Sequence, residues 1–282
     1  MAWKMLILGI VQGLTEFLPI SSSGHLLLGQ VLLKVEGGLT VPIFLHVGTL
    51  IAVVVFMARR IGRLFADMFN REKERRISGW TLILYLFVAS IPAALVGILA
   101  KDTIDRVMYG QPLYVAFFFI GTGALLLVTR WGRERNRTFG ISEAILVGIA
   151  QAVAILPGFS RSGLTIATAL LLGIASREAF EFSFLLSIPA ILAANVLEFT
   201  RLAKELSELS KSHPTANLTE LSGIAGLPGP LTLILGVVVS FGVGFFALWA
   251  LRRLVISRKF WLFSFYCFAL GGASLVLLLV FR

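Results

Sequence analysis

Charge is scarce in this chain. Lys, Arg, Asp and Glu make up 14% of 282 residues, against about 25% in soluble globular domains. Hydrophobic residues account for 57%, with 27 glycines besides, and mean hydropathy is +0.92. So little polar surface does not cover a water-soluble particle, so the chain belongs in a bilayer. A cytosolic enzyme, a disordered chain and a secreted disulfide scaffold are excluded. Cysteine is nearly absent. The single Cys267 rules out an internal disulfide and a cysteine metal cluster, and it reads as a small buried or lipid-facing residue. Acidic residues are also short, 15 against 25 basic, for a formal charge of +10. In a soluble protein that excess points to nucleic acid. In a membrane protein it points first to loop Lys and Arg setting orientation, and no nucleic-acid partner is expected. The N-terminal apolar run Met5–Val11 is short, is broken by Gln12, Thr15 and Glu16, and lacks a small-x-small cleavage site. A cleaved signal peptide is therefore not expected.

What is abundant is apolar length. A bilayer span takes about 20 mostly apolar residues. Six segments read as spans: Pro42–Ala58, Gly79–Ala100, Gln111–Thr129, Arg177–Phe199, Leu231–Leu251 and Lys259–Phe281. Two further apolar stretches, about 1–34 and 141–174, are broken in the middle. The first break is Leu18-Pro19-Ile20-Ser21-Ser22-Ser23-Gly24. The second is Leu156-Pro157-Gly158-Phe159-Ser160-Arg161-Ser162-Gly163. Proline pushes the preceding residue out of the helical region, and serine caps the helix that follows. Each stretch reads as a helix–turn–helix hairpin that enters the membrane and leaves on the same side.

Basic residues orient the spans. Arg59, Arg60, Arg63, Arg71, Lys73, Arg75 and Arg76 follow the first span. Arg130, Arg133, Arg135 and Arg137 follow the third. Arg252, Arg253, Arg258 and Lys259 separate the fifth from the sixth. These loops, about 59–78, 130–140 and 252–259, are read as cytoplasmic. The mixed-charge stretches Lys101–Arg106 and Thr200–Pro230 are read as outside. The first hairpin then dips in from outside and the second from the cytoplasm. The expected architecture is a single all-α polytopic membrane domain of six spans and two re-entrant hairpins, in inverted halves of about 1–135 and 136–282. Gly9-Ile10-Val11-Gln12 parallels Gly148-Ile149-Ala150-Gln151, and Ser21-Ser22-Ser23-Gly24 parallels Ser160-Arg161-Ser162-Gly163 at the same offset. Inverted repeats with broken helices place a site where the repeats meet.

Ionisable residues at membrane depth are costly and usually functional. The breaks carry Glu16, His25 and Arg161. Gln12 and Glu16 share one helix face. Helix N-termini bind anions, glycines at 24 and 163 admit a ligand to the backbone, and arginine supplies a fork suited to phosphate. A phosphate-bearing ligand fits, with a divalent cation between it and Glu16. His25 suits an acid, base or nucleophile. Glu16 and Arg161 also fit a buried ion pair joining the hairpins. His46 reads as packing or a helix contact, His213 as solvated, and Glu178, Glu181 and Glu198 as interfacial.

Two long motifs stand out. Gln12-Gly13-Leu14-Thr15-Glu16-Phe17-Leu18-Pro19-Ile20-Ser21-Ser22-Ser23-Gly24-His25 and Pro157-Gly158-Phe159-Ser160-Arg161-Ser162-Gly163-Leu164-Thr165 resemble the two signatures of the bacterial undecaprenyl-diphosphatase (bacitracin-resistance) family. The resemblance spans essentially the whole chain, including Glu181-Phe182-Ser183-Phe184. The leading position of the first signature takes Glu or Gln. Here it is Gln12, which leaves Glu16 as the essential carboxylate. The resemblance implies hydrolysis of the C55 polyprenyl diphosphate to the monophosphate at the outer face of the plasma membrane. That reaction recycles the lipid carrier of peptidoglycan and other wall polymers and confers bacitracin resistance. It implies a divalent metal, Mg2+ or Ca2+, and a homodimer. By position, Glu16 would bind metal or act as base, and Arg161 would clamp the diphosphate. Ser22 or His25 would be nucleophile or proton-transfer group. Ser21, Ser160 and Thr165 would hold phosphate, with Gln12, Ser23, Gly24, Ser162 and Gly163 completing that set. From the residues alone, Ser22, His25 and a metal-activated water all remain open as nucleophile. A transporter or flippase of an anionic polyprenyl lipid is the alternative, because re-entrant inverted repeats are a transporter architecture.

Overall fold

The computed structural model describes residues 2–33, 35, 40–99, 112–135, 137–212 and 227–280. Ten α-helices run through them: α1 (Ala2–Phe17), α2 (Ser22–Leu33), α3 (Thr40–Met68), α4 (Lys73–Leu99), α5 (Pro112–Val128), α6 (Ile141–Val153), α7 (Arg161–Leu171), α8 (Ser176–Ser212), α9 (Pro230–Ile256) and α10 (Phe263–Val280). Short 3-10 turns, Thr129–Trp131 and Phe260–Leu262, continue α5 and precede α10. Six of the helices, α3, α4, α5, α8, α9 and α10, are long and apolar enough to cross a membrane. The chain is an all-helical, multi-pass membrane protein. Both interrupted stretches are helix pairs, α1 with α2 and α6 with α7.

The observed spans are longer than the apolar runs. Arg59, Arg60 and Arg63 lie within α3, and Arg252 and Arg253 within α9, so they extend helices rather than forming loops. A long aliphatic stem lets an arginine continue a helix past its apolar run, since the stem packs on apolar surface while the charged end lies beyond it. Between α3 and α4 only residues 69–72 are non-helical. The stretch after residue 199, expected to leave the helix, continues as α8 to Ser212. Leu202, Leu206 and Leu209 recur at helical spacing among Lys and Glu, all good helix formers, and Leu202 is buried. Residues 213–226, with His213 and Glu220, and the Lys101–Arg106 segment lie outside the described residues.

Close packing of small residues holds the frame. In lipid, helix association rests on close contact rather than on water exclusion. α1 packs along α9, α6 along α4, α5 along α10, and α3 between α8 and α9. A Cβ at Gly148 would stand 2.5 Å from the Ala89 carbonyl oxygen of α4, so α6 and α4 touch at backbone distance. Gly48 in α3 is tighter still. Its Cβ would meet the Ser240 Oγ at 2.0 Å and the Val237 oxygen at 2.4 Å. Ser240 donates to the Leu45 carbonyl at 2.9 Å, so α3 and α9 are also bonded there. The largest core cluster runs from Phe17 and Ile20 of the first break through Ile166 and Ala167 of α7 to Phe180 and Phe184 of α8. Phe17 meets Phe184 edge to face at 5.8 Å. This cluster ties the first break to the arm that follows the second.

The arginine-bearing end is cross-tied by ions. Glu181 is held by Arg60 at 2.9 Å and Arg177 at 3.0 Å, joining α3 to α8. Glu134 caps α8, accepting from the Ser176 N–H at 2.7 Å and from the Ser176 hydroxyl, and it pairs with Arg258 at 2.8 Å. The Ser176 hydroxyl, the Ser176 N–H and Arg258 together hold the Glu134 carboxyl down at about 2.

Gly48→Ala should destabilise the protein by about 1–3 kcal/mol through overpacking. Gly62→Ala, whose Cβ meets nothing within 4 Å, should be neutral or stabilise by up to about 1 kcal/mol. Thermal unfolding of both variants in detergent checks this, and a Gly48→Ala protein as stable as wild type contradicts it.

Candidate active site

The two breaks meet each other. After α1 ends at Phe17, the chain turns through Leu18–Ile20, closed by the Ile20 N–H on the Leu18 carbonyl at 2.8 Å. Ser21 then takes a left-handed conformation (φ 64°), which side-chain-bearing residues adopt only uncommonly. The second break turns at Gly158 (φ 106°), where a Cβ would strike the Val115 carbonyl oxygen at 2.7 Å. Ser160 caps α7, its Oγ accepting from the Gly163 N–H at 3.2 Å. The absent side chain of Gly163 lets the second break approach the first, since a Cβ there would lie 3.2 Å from the Pro19 Cβ.

One ion pair joins the breaks. Arg161, the first residue of α7, donates from Nη2 to Glu16 Oε1 at 2.7 Å, and both side chains are largely buried. The other carboxylate oxygen, Oε2, accepts from the Ser22 hydroxyl at 2.7 Å and from the Gln12 amide at 3.2 Å. His46 Nε2 lies 3.5 Å from the same oxygen. Arg161 Nη1 donates to the Ser187 carbonyl of α8 at 3.3 Å, which fixes the plane of its fork. Beside this pair opens a small cleft. Thr15, Glu16 and Ser21–Ser23 line it from the first break, and Ala154, Phe159, Ser160 and Arg161 from the second. The first turns of α2 and α7 thus border one space, where helix N-termini favour an anion.

Glu16, Ser21, Ser22, Ser23, Ser160 and Arg161 therefore come together at the cleft. The other candidate residues stand behind it. Gln12 is fully buried, reaches Thr49 as well as Glu16, and leaves its Oε1 without a hydrogen-bond partner. Ser162 bonds Ser160 at 3.2 Å. Thr165 bonds the Arg161 carbonyl at 2.8 Å and the Ser183 hydroxyl, pinning α7 to α8. Gly24 packs against the Phe119 ring. His25 is turned to the Ser21 carbonyl and the Tyr266 hydroxyl. Cys267 is buried and donates to the Pro19 carbonyl at 3.3 Å.

His46, read from sequence as packing or a helix contact, reaches the site carboxylate instead, and Thr49, Thr122, Ser187 and Tyr266 carry no sequence signal that marks them. The signal for His46 was present, an ionisable side chain inside a span. Thr122 accepts from the Ser160 N–H at 3.3 Å, a contact across the fold with no local signature.

Among the described residues no cluster of three or more His, Cys, Asp or Glu could cage a metal. The donors that line the cleft are hard oxygens, the Glu16 carboxylate and the hydroxyls of Ser21, Ser22 and Ser23. Such a set fits a cation that takes most of its ligands from substrate phosphate and water, as Mg2+ does.

Residues 5–273 match the bacitracin resistance protein BacA family. The chain belongs to this family. It is 38% identical to the undecaprenyl-diphosphatase of Thermotoga maritima over 265 residues, covering 93% of this chain and 94% of that one. It is 40% identical to the undecaprenyl-diphosphatase of Desulfosudis oleivorans over 283 residues, 95% and 96% of the two chains. The undecaprenyl-diphosphatase of Salinibacter ruber is 33% identical over 287 residues, 98% and 99% of the two. This BacA-family chain has Gln12 as the neutral neighbour of Glu16, and among the described residues Glu16 is the one carboxylate lining the cleft.

Breaking a buried pair by removing one partner costs about 3–5 kcal/mol, because the other charge is left uncompensated. Glu16→Ala and Arg161→Ala should each lower the thermal midpoint accordingly. The double variant should lose clearly less than the sum. Additive losses in detergent unfolding would show that the two charges do not support each other.

Proposed function

We propose that this chain hydrolyses undecaprenyl diphosphate to undecaprenyl phosphate and phosphate. The observation that carries the reading is the Ser22 hydroxyl, hydrogen-bonded to Glu16 Oε2 at 2.7 Å in a cleft shared with Arg161. A nucleophile, its base and a phosphate clamp stand together there. The relatives named above are undecaprenyl-diphosphatases.

In this reading Ser22 Oγ attacks the terminal phosphorus. The Oγ–P bond forms, and the bridging P–O bond breaks with its electron pair leaving on undecaprenyl phosphate. The Ser22 proton passes to Glu16. Water then attacks the phosphoserine phosphorus, the Oγ–P bond breaks as Glu16 returns its proton to Ser22 Oγ, and phosphate leaves carrying the protons of the water. Arg161 exchanges its carboxylate partner for phosphate oxygens, a bidentate geometry that suits guanidinium. The first turns of α2 and α7 add positive dipole ends. Phosphoryl transfer depends mainly on positioning and charge stabilisation of this kind. Glu16 would hold the divalent cation, which would supply charge neutralisation to the diphosphate.

The architecture is read as two inverted halves. The matching contacts of α1 with α9 and of α6 with α4 support that arrangement. The arginine-rich ends of α3 and α9 support a cytoplasmic placement there, which leaves the cleft to be reached from the outer face of the inner membrane. Recycling of the wall-polymer carrier and bacitracin resistance follow from family membership. Paired broken helices also suit a lipid carrier, and detergent separates the two readings because it abolishes compartments.

Purified protein in detergent with Mg2+ should release phosphate from undecaprenyl diphosphate. Ser22→Ala and Glu16→Gln should each reduce that release at least about a hundredfold, the usual worth of a nucleophile–base contact. A folded wild-type protein that releases none sinks the hydrolase and leaves the carrier.

A further inference from the structure

His25 has both ring nitrogens committed to partners other than Glu16 and Ser22. Nδ1 lies 2.8 Å from the Ser21 carbonyl oxygen. A carbonyl only accepts, so Nδ1 carries the proton. The neutral ring then presents Nε2 as an acceptor, and the Tyr266 hydroxyl of α10 donates to it at 2.6 Å. The ring is further held by stacking on Tyr266 (5.8 Å, 20°) and by the edge of Phe119 at 6.1 Å.

The far end of this chain of bonds matters to the chemistry. The Ser21 carbonyl and the Ser22 N–H belong to one rigid peptide plane. Ser21 is also the left-handed residue of the turn, a conformation that persists only where its surroundings impose it. Fixing the Ser21 carbonyl therefore fixes the plane from which the Ser22 side chain departs toward Glu16.

We infer that Tyr266 and His25 form a positioning pair, with the Tyr266 hydroxyl holding His25 in its Nδ1–H tautomer and His25 holding the Ser21–Ser22 peptide so that Ser22 meets Glu16. Neither side chain is then the nucleophile. This rests on the reading of Ser22 given above.

Three variants test it in steady-state phosphate release. Tyr266→Phe keeps the ring and removes one hydrogen bond, so kcat should fall roughly three- to tenfold with KM unchanged. His25→Ala should cost on the order of a hundredfold, the scale of a misplaced reacting group. His25→Asn keeps a donor near the Nδ1 position and should recover much of that loss, and Tyr266→Phe should add nothing in its background. If His25→Asn is as inactive as His25→Ala, or if Tyr266→Phe leaves kcat unchanged, the pair does not act this way. A second readout needs no turnover. In 15N-histidine NMR spectra of the full chain in detergent, the signal lost in His25→Asn should show a protonated Nδ1 and a bare Nε2, and it should shift in Tyr266→Phe. A protonated Nε2 in the neutral ring overturns the inference even where hydrolysis is normal. Absence of hydrolysis in wild type with the expected tautomer overturns the activity instead.

Discussion

Glu16 and Arg161 stand 2.7 Å apart in a chain that is 57% hydrophobic. Taking two charges out of water is expensive, and mutual attraction compensates only when the geometry is close and the remaining polar atoms are bonded. Here they are. Oε2 is bonded by Ser22 and Gln12, and the second arm of the guanidinium by Ser187. The two charges come from opposite halves of the sequence, each at a break between short helices. The pair exists only if both breaks arrive at one place, and most of the packing serves that end. Phe17 on Phe184, the bare Gly163 beside Pro19, and the Thr165–Ser183 bond all bring the arms together.

The same pair bears on stability and on the proposed chemistry. A guanidinium already desolvated and aimed at a carboxylate is prepared for a phosphate in its place. The serine turn completes the arrangement, because its left-handed Ser21 sends Ser22 back toward the end of α1 rather than along α2. Irregular backbone of this kind is tolerated away from water only where protein or a water-filled cavity satisfies it. The cleft and the surrounding hydroxyls of Thr122, Ser160 and Ser162 do so. A site built this way is assembled from helix ends, with the long helices as its rigid support.

The spans, the two breaks and the Glu16, Ser22 and Arg161 cluster were all legible in the sequence. Apolar length marks a span, proline followed by serine marks a break, and a charge within such a stretch has few structural uses. Helix limits were harder to read. Arg59, Arg60 and Arg63 looked like loop residues because they are charged, yet their long stems let the helix continue. The stretch beyond residue 199 looked like a loop because it is polar, yet its leucines keep helical spacing. Contacts between distant elements were not legible at all. His46 reaches Glu16 from α3, and Tyr266 reaches His25 across 241 residues. The identity of His25 advertised acid–base chemistry, while its two nitrogens are met by the Ser21 carbonyl and the Tyr266 hydroxyl of α10, contacts with no local signature.

The central claim is that the space between the two breaks is where the terminal phosphate is held and cleaved. A structure of the full chain with Mg2+ and a methylene-bridged, non-hydrolysable analogue of the polyprenyl diphosphate tests it directly. The terminal phosphonate should lie beside Ser22 Oγ and the first turn of α7, with Arg161 turned onto its oxygens and away from Glu16. A phosphonate seated at the arginine-rich end of the bundle, with the Glu16–Arg161 pair intact and the cleft empty, would contradict it.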